Sequence, residues 1–245
     1  MSIGWLEADW PAPPGVRALS TFRGGGVSVG FYASLNLGDH VGDDPAAVAE
    51  NRRLLRQEAG LPSEPHWLAQ IHGVHVADID ADGPRAAADA AVTRLPGRVC
   101  AILTADCLPV LLAADSGEVV AAAHAGWRGL AAGVIEATFR AMGVDPDRTL
   151  AWLGPAIGPG SFEVGGEVRE AFLSQDEGSR EAFEANSRGR FMADLGSLAR
   201  RRLGMLGITR IYGGTGECTH AAADRYFSHR RDGACGRQAT LIWRS

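Results

Sequence analysis

Of the side chains able to hold a metal or act as a nucleophile, this 245-residue chain has seven histidines and four cysteines, and one of each flanks a single turn. From Cys107 to His124 the sequence reads as two apolar runs, residues 108–114 and 119–123, joined by the turn-forming Asp115-Ser116-Gly117. Folding back through a two-residue turn at Asp115-Ser116 sets Cys107 opposite His124, with Cβ atoms roughly 4.5–5.5 Å apart. A three-residue loop with Gly117 left-handed instead slips the register by one and makes the two residues diagonal. A sulfur and an imidazole this close can share one metal ion.

A third ligand is sought among His40, His66, His72, His75, His220 and His229. In His72-Gly73-Val74-His75 the two imidazoles point to opposite faces of an extended chain, so one ion takes only one of them. His72 is preferred because Gly73 permits a tight bend that tips its ring into a cleft. Two histidines and a cysteine with the fourth position open is the layout of a catalytic zinc site. The alternative is a Cys–His dyad with Cys107 as nucleophile, activated by the nearby helix start and Arg128. The Gly126-Trp127-Arg128-Gly129 turn offers backbone N–H groups and a forked cation to phosphate or another oxyanion. Asp106 braces the turn, or accepts a proton if it lies in a loop.

Several chemistries are excluded by composition. All 24 basic residues are arginine, which removes lysine Schiff bases and lysine general bases. A net charge of −5 with no basic stripe argues against nucleic acid as a partner. The apolar stretches fall short of a membrane span and the N-terminus lacks a signal-peptide pattern, so a soluble cytoplasmic protein with reduced cysteines is expected. Its partners are then small molecules, with the chain a monomer or weak homo-oligomer. The Gly-rich segments match neither the dinucleotide fingerprint nor the P-loop.

The elements that must position these groups follow from periodicity and breakers. Residues 1–15 read as an N-terminal lead-in and 16–245 as a single domain. Strands are expected at 16–22, 27–31, 66–71, 74–79, 99–104, on both sides of the turn, and at 149–153, 208–212 and 239–243. Helices are expected after the Asp44 cap, from Leu130 to Met142, and near 165–174, 180–186 and 192–206. Hairpins mixed with strand–helix alternation predict an α+β domain with mixed sheets.

The segments SLNLGDHVGDD (34–44), ENRRLL (50–55), WLAQIHGVHV (67–76), TADCLPVLL (104–112), HAGWRGLAAGVI (124–135), LGPAIGP with FEVGGEV (153–168) and FSHRRD (227–232) resemble, in order, the signature blocks of the YfiH family. Its members carry the labels laccase-domain protein, polyphenol oxidase and purine nucleoside phosphorylase. The resemblance implies a four-layer α/β/β/α sandwich similar to the catalytic domain of the cytotoxic necrotizing factor toxins, and a zinc ion on His72, Cys107 and His124. It implies phosphorolysis of adenosine, inosine and methylthioadenosine, with adenosine deamination. As an alternative it implies a cytosolic amidase that removes misincorporated L-serine from UDP-muramoyl peptide precursors. Arg23, Asn36, Gln70, Arg230 and Arg231 lie in family-like segments and are the expected substrate contacts, with Asp106, Cys107 and Arg128 catalytic and Phe162 a possible base-stacking ring. Copper polyphenol oxidation is the weakest reading, because 7 histidines with no H-x-H pair do not make a multicopper centre, although copper competes for such a site in vitro.

Overall fold

The two apolar runs around Asp115-Ser116-Gly117 have no polar face, so both sides of the hairpin must be covered. The computed structural model, which describes all residues except Met1, Pro84 and Thr215, places them at the centre of the molecule. In chain order the strands begin with β1 (Trp5–Glu7), β2 (Val16–Thr21), β3 (Val76–Asp78), β4 (Ala90–Thr93), β5 (Val99–Thr104), β6 (Leu108–Ala114) and β7 (Val120–Ala125). They continue with β8 (Thr149–Leu153), β9 (Glu163–Val164), β10 (Phe183–Ala185), β11 (Phe191–Ala193), β12 (Arg210–Gly213) and β13 (Gln238–Arg244). The helices are α1 (Pro45–Glu58), α2 (Trp127–Ala132), α3 (Val134–Met142), α4 (Gly166–Leu173), α5 (Leu195–Met205) and α6 (His229–Asp232).

A six-stranded sheet in the order β12-β8-β6-β7-β4-β3 is parallel at its two outer pairs and antiparallel inside. Against it lies an antiparallel sheet, β1-β2-β13-β5. Strand alternation sends Cys100, Ile102 and Ile242 of the second sheet inward to meet Leu111, Ala113, Val120, Ala122 and Trp152 of the first. The outer faces are covered by α1 on the smaller sheet and by α2–α5 on the larger one, giving the layer order helix, sheet, sheet, helices. The segment expected as a lead-in carries β1, which pairs with β2 along Trp5–Glu7.

The hairpin turns differently from expectation. Pro109 pairs with His124 and Ala113 with Val120, so the chain reverses through the four residues 115–118. Extending that register puts Cys107 opposite Gly126, two positions beyond His124. Because the side-chain period is two, the shift keeps Cys107 and His124 on the same inward face.

Elsewhere the differences have identifiable causes. The helix expected from Leu130 to Met142 is two helices, broken at Gly133 with φ +99°. Residues 180–186 form a 3-10 turn and then β10, because Asn186 and Gly189 (φ +71°) make a hairpin whose second strand, β11, pairs with β9. Residues 66–71 form no ladder; the Gln70 side chain pairs with the Leu103 backbone in place of a strand. Residues 27–31 hold a single 3-10 turn, Gly30–Tyr32. The α1 cap is as read: Asp44 accepts from the Ala46 N–H, Pro45 opens the helix, and Gly60 follows its end at φ +59°.

Gly133→Ala forces a Cβ into a left-handed backbone, at a cost of about 1–2 kcal/mol. Urea denaturation should show the lower midpoint, with the metal-binding stoichiometry unchanged.

Candidate metal centre

The inward faces of the two sheets are sealed by apolar side chains except at one end, where β7 stops and β6 begins. There Cys107 precedes β6, His124 is the penultimate residue of β7, and His72 arrives on the loop before β3. Their ligand atoms all lie within 4.8 Å of one another, and they form a grouping of three metal-binding side chains among the described residues. The His72 and His124 rings sit edge to face with centroids 4.7 Å apart. His124 is buried, Cys107 half-buried and His72 exposed, so the cluster opens outward on the His72 side. Two imidazoles and a thiolate at this spacing fit a divalent transition metal with a coordination position left over.

Local backbone builds the cluster. The bend expected at Gly73 falls on His72 itself, whose φ is +60°, and Asp106 beside Cys107 has φ +93°. Non-glycine residues in this region carry strain that surrounding contacts must hold. Gly126 is required for space: a Cβ there would come within 2.9 Å of the Cys107 sulfur and 3.3 Å of the His72 ring.

The group that holds two of the ligands is Asp89, which the residue pattern did not single out. In β4, Ala90 pairs with Ala123 of β7, and one step back the His124 N–H donates to the Asp89 carbonyl at 2.7 Å. Directly opposed residues share a face, so the buried Asp89 carboxylate lies beside the His124 ring. It accepts from His124 Nδ1 at 2.9 Å and from the backbone N–H groups of Ile71, His72 and Gly73 at 3.2, 2.9 and 2.6 Å. A carboxylate that receives Nδ1–H leaves Nε2 as the ligand atom. Burial opposes the Asp89 charge, yet the bonds from His124 and the loop amides hold its pKa below the ordinary carboxylate value.

Without a metal, the ligands form an ion pair. Burial would raise the Cys107 thiol, but the adjacent His124 charge and its hydrogen bond, with help from His72, draw it down to about 6. Burial would lower His124, but the Cys107 thiolate and the Asp89 hydrogen bond raise it to about 9. The thiolate–imidazolium state therefore spans the interval between those values.

The cluster lies on the wall of a cavity of about 400 Å³. Arg128 and Arg230 reach it, and so do Asp106, Gln70 and Phe162, together with His40, His229 and Arg237, which the motif reading did not assign to substrate. Arg128 stacks on Trp127 at 4.4 Å, and its guanidinium makes no hydrogen bond among the described residues. Arg230 lies over Phe162 at 5.2 Å and spends one guanidinium nitrogen on the Glu163 carbonyl. Asp106 is in a loop, but its oxygens accept from the Thr219 hydroxyl at 2.7 Å and the Arg230 N–H at 2.6 Å, so it braces the wall.

Three expected substrate contacts point elsewhere. Asn36 is buried with its amide engaged by Gly38, Asp43 and the Arg237 N–H. Arg23 binds the Ala33 and Ala223 carbonyls and covers the Phe227 ring. Arg231 commits all five N–H donors to Thr219, His220, Tyr226 and Asp232. Gln70 touches the cavity, but its amide is taken by Leu103. For these side chains the polar groups of the fold itself are the partners.

The layered mixed α/β fold and the His–Cys–His cluster define a protein with, among the described residues, one candidate mononuclear metal site beside a cationic cavity. Residues 17–245 match the family model described as multi-copper polyphenol oxidoreductase laccase. The chain is 55% identical to purine nucleoside phosphorylase PA4543 of Pseudomonas aeruginosa, with 98% of each chain covered. It is 51% identical to purine nucleoside phosphorylase YfiH of Escherichia coli, covering 97% of this chain and 98% of that one. Among solved structures, the Neisseria meningitidis protein NMB0706 superposes with TM-score 0.94 at 50% identity, covering 98% of this chain and 99% of that one. YlmD from Geobacillus stearothermophilus superposes with TM-score 0.88 at 31% identity, covering 98% and 96%. The chain belongs to the YfiH family, also designated DUF152. The several coppers in the family model's description would need more donor clusters than the grouping of three found among the described residues.

Asp89→Asn replaces two acceptor oxygens with one and a donor facing N–H groups. Zinc affinity should fall about 10- to 100-fold by competition with a chelating dye, and an unchanged affinity would remove Asp89 from the centre. Zinc must also displace the protons of the free ligands. Between pH 6 and 9 at least one proton, from His124, should leave per zinc bound, and below pH 6 at least two, so affinity falls as pH falls. Calorimetry in buffers of different ionisation enthalpy measures that release.

Proposed function

We propose that this chain is a zinc-dependent purine nucleoside phosphorylase. It takes adenosine, inosine or methylthioadenosine with inorganic phosphate, and adenosine deamination is a secondary activity of the same cavity. The observation that carries this reading is one cavity of about 400 Å³ that combines the His72–Cys107–His124 donor set, the open guanidinium of Arg128, and Arg230 stacked on Phe162. That volume suits a nucleoside-sized ligand. The names of the 55% and 51% identical relatives support the same substrate class. Zinc is preferred because a mixed N/S set with an open position suits it, and it would supply Lewis-acid charge stabilisation.

The chain's own groups account for the rest of the chemistry. In phosphorolysis a phosphate oxygen forms a bond to C1′ of the ribose as the bond from C1′ to the purine nitrogen breaks. Ribose 1-phosphate and the protonated base are released. The Arg128 fork is placed to bind and orient the attacking oxyanion. Arg230, held through its own N–H by Asp106, closes the anion side. His229 gives its Nδ1–H to the Gly233 carbonyl, so only the doubly protonated ring carries a second proton, on Nε2, to hand to the departing purine. Cys107 acts as a metal ligand and not as a nucleophile. None of the four cysteines is paired in a disulfide, which fits action in the cytoplasm on small molecules.

Purified protein incubated with inosine and phosphate should release ribose 1-phosphate and hypoxanthine. Cys107→Ser should lose zinc and turnover together, whereas retained zinc with lost turnover would make Cys107 the nucleophile. Arg128→Ala should keep zinc and raise the phosphate KM about 10-fold or more. No ribose 1-phosphate from the wild-type protein, with serine release from a UDP-muramoyl precursor, would move the site to amide hydrolysis.

A further inference from the structure

We infer that the hydroxyl of Thr104 is a phosphate-positioning group of this cavity. The inference rests on the phosphorylase reading and adds a specificity-determining residue from the opposite sheet.

Thr104 is the last residue of β5, in the four-stranded sheet, whereas Cys107, His124 and Asp89 belong to strands, or the ends of strands, of the six-stranded sheet. Along β5, Cys100 and Ile102 face the inter-sheet core, and the period of two turns Thr104 the same way. On the facing strand β7, Val120 and Ala122 occupy that core and His124 continues their row. The two rows thus end together, with Thr104 on one side of the open end and the metal ligands on the other. Thr104 lines the cavity they share.

Its side-chain oxygen is buried and has no hydrogen-bond partner. The other described buried side-chain atoms in that condition belong to Glu136, Arg210, Tyr226 and Arg244, none of which lines this cavity. A threonine on a strand whose previous inward residues are cysteine and isoleucine has a simple apolar substitute, since valine has nearly its shape and no hydroxyl to desolvate. The hydroxyl is therefore costly to the free protein unless something in the cavity meets it.

The charge around it indicates what that is. The guanidiniums on the wall, Arg128 without a hydrogen bond among the described residues and Arg230 with one nitrogen taken by the Glu163 carbonyl, call for an oxyanion, and a tetrahedral phosphate has more acceptor sites than these two can occupy. A hydroxyl on the opposite wall donates to one of the remaining oxygens. That contact distinguishes phosphate from planar or monovalent anions, which the arginines alone would also hold.

The test uses the zinc-loaded protein with Thr104→Val and Thr104→Ser. By calorimetry with inorganic phosphate alone, Thr104→Val should weaken binding about 10- to 100-fold, the loss of one hydrogen bond to a charged group, and Thr104→Ser should restore it to within a few-fold. In steady state the valine variant should raise the phosphate KM, leave the inosine KM unchanged and keep stoichiometric zinc. Its melting temperature should be equal to or above wild type. Wild-type phosphate affinity in the valine variant overturns the inference, as does a raised inosine KM with phosphate unaffected. If valine disrupts folding, a serine variant with phosphate binding weakened as far as in Thr104→Ala overturns it too. Failure of the phosphorylase reading looks different: the wild-type protein itself would make no ribose 1-phosphate.

Discussion

The Asp89 carboxylate is the constraint on which the centre depends. It is buried at the start of an apolar strand and takes four hydrogen bonds, three from the backbone that carries His72 and one from the His124 ring. An isolated buried carboxylate would be untenable, and one with four well-placed donors is stable as an anion. Because the same anion fixes a loop and a strand end, the two imidazoles cannot move independently. Their separation is set before any metal arrives, and the strained φ of His72 is held by the bonds that set it.

The surrounding fold supplies rigidity where the ligands are rooted and room where a substrate would enter. Strands β6 and β7 are buried along their whole length, so Cys107 and His124 extend from a close-packed hairpin. Past the last aliphatic layer between the sheets, the packing gives way to Thr104, Asp106 and the two arginines. Gly126 is where that transition is tightest: any side chain would fill the space taken by the Cys107 sulfur. The left-handed residues His72 and Asp106 both lie at this end, consistent with strain being tolerated where geometry matters more than local stability.

What was legible in the sequence was local. A hairpin with a cysteine at one foot and a histidine at the other can be read from two apolar runs and a turn. An error of two in its register did no harm, because parity survives an even slip. Asp89 was illegible for the opposite reason. Its role exists only when β4 pairs with β7 across 35 residues, and its local signal is no more than one acid inside an alanine-rich run. Arg230 and Arg231 show the same limit at neighbouring positions. Both lie on the single turn of α6, yet one reaches the cavity and the other is consumed by three carbonyls and Asp232 of its own segment. Asn36, expected as a substrate contact because it lies in a family-like segment, has its amide engaged as a buried joint between two loops. The break at Gly133 and the β10–β11 hairpin were hidden because a run of moderate helix formers yields to long-range pairing and a left-handed glycine.

The central claim is that His72, Cys107 and His124 bind one zinc ion together. X-ray absorption on the zinc-loaded protein tests it most directly. The account predicts one sulfur at about 2.3 Å and two imidazole nitrogens at about 2.0–2.1 Å, with the remaining position filled by a light exchangeable atom. A first shell with two or more sulfurs, with no sulfur, or with four protein ligands and nothing exchangeable would contradict it.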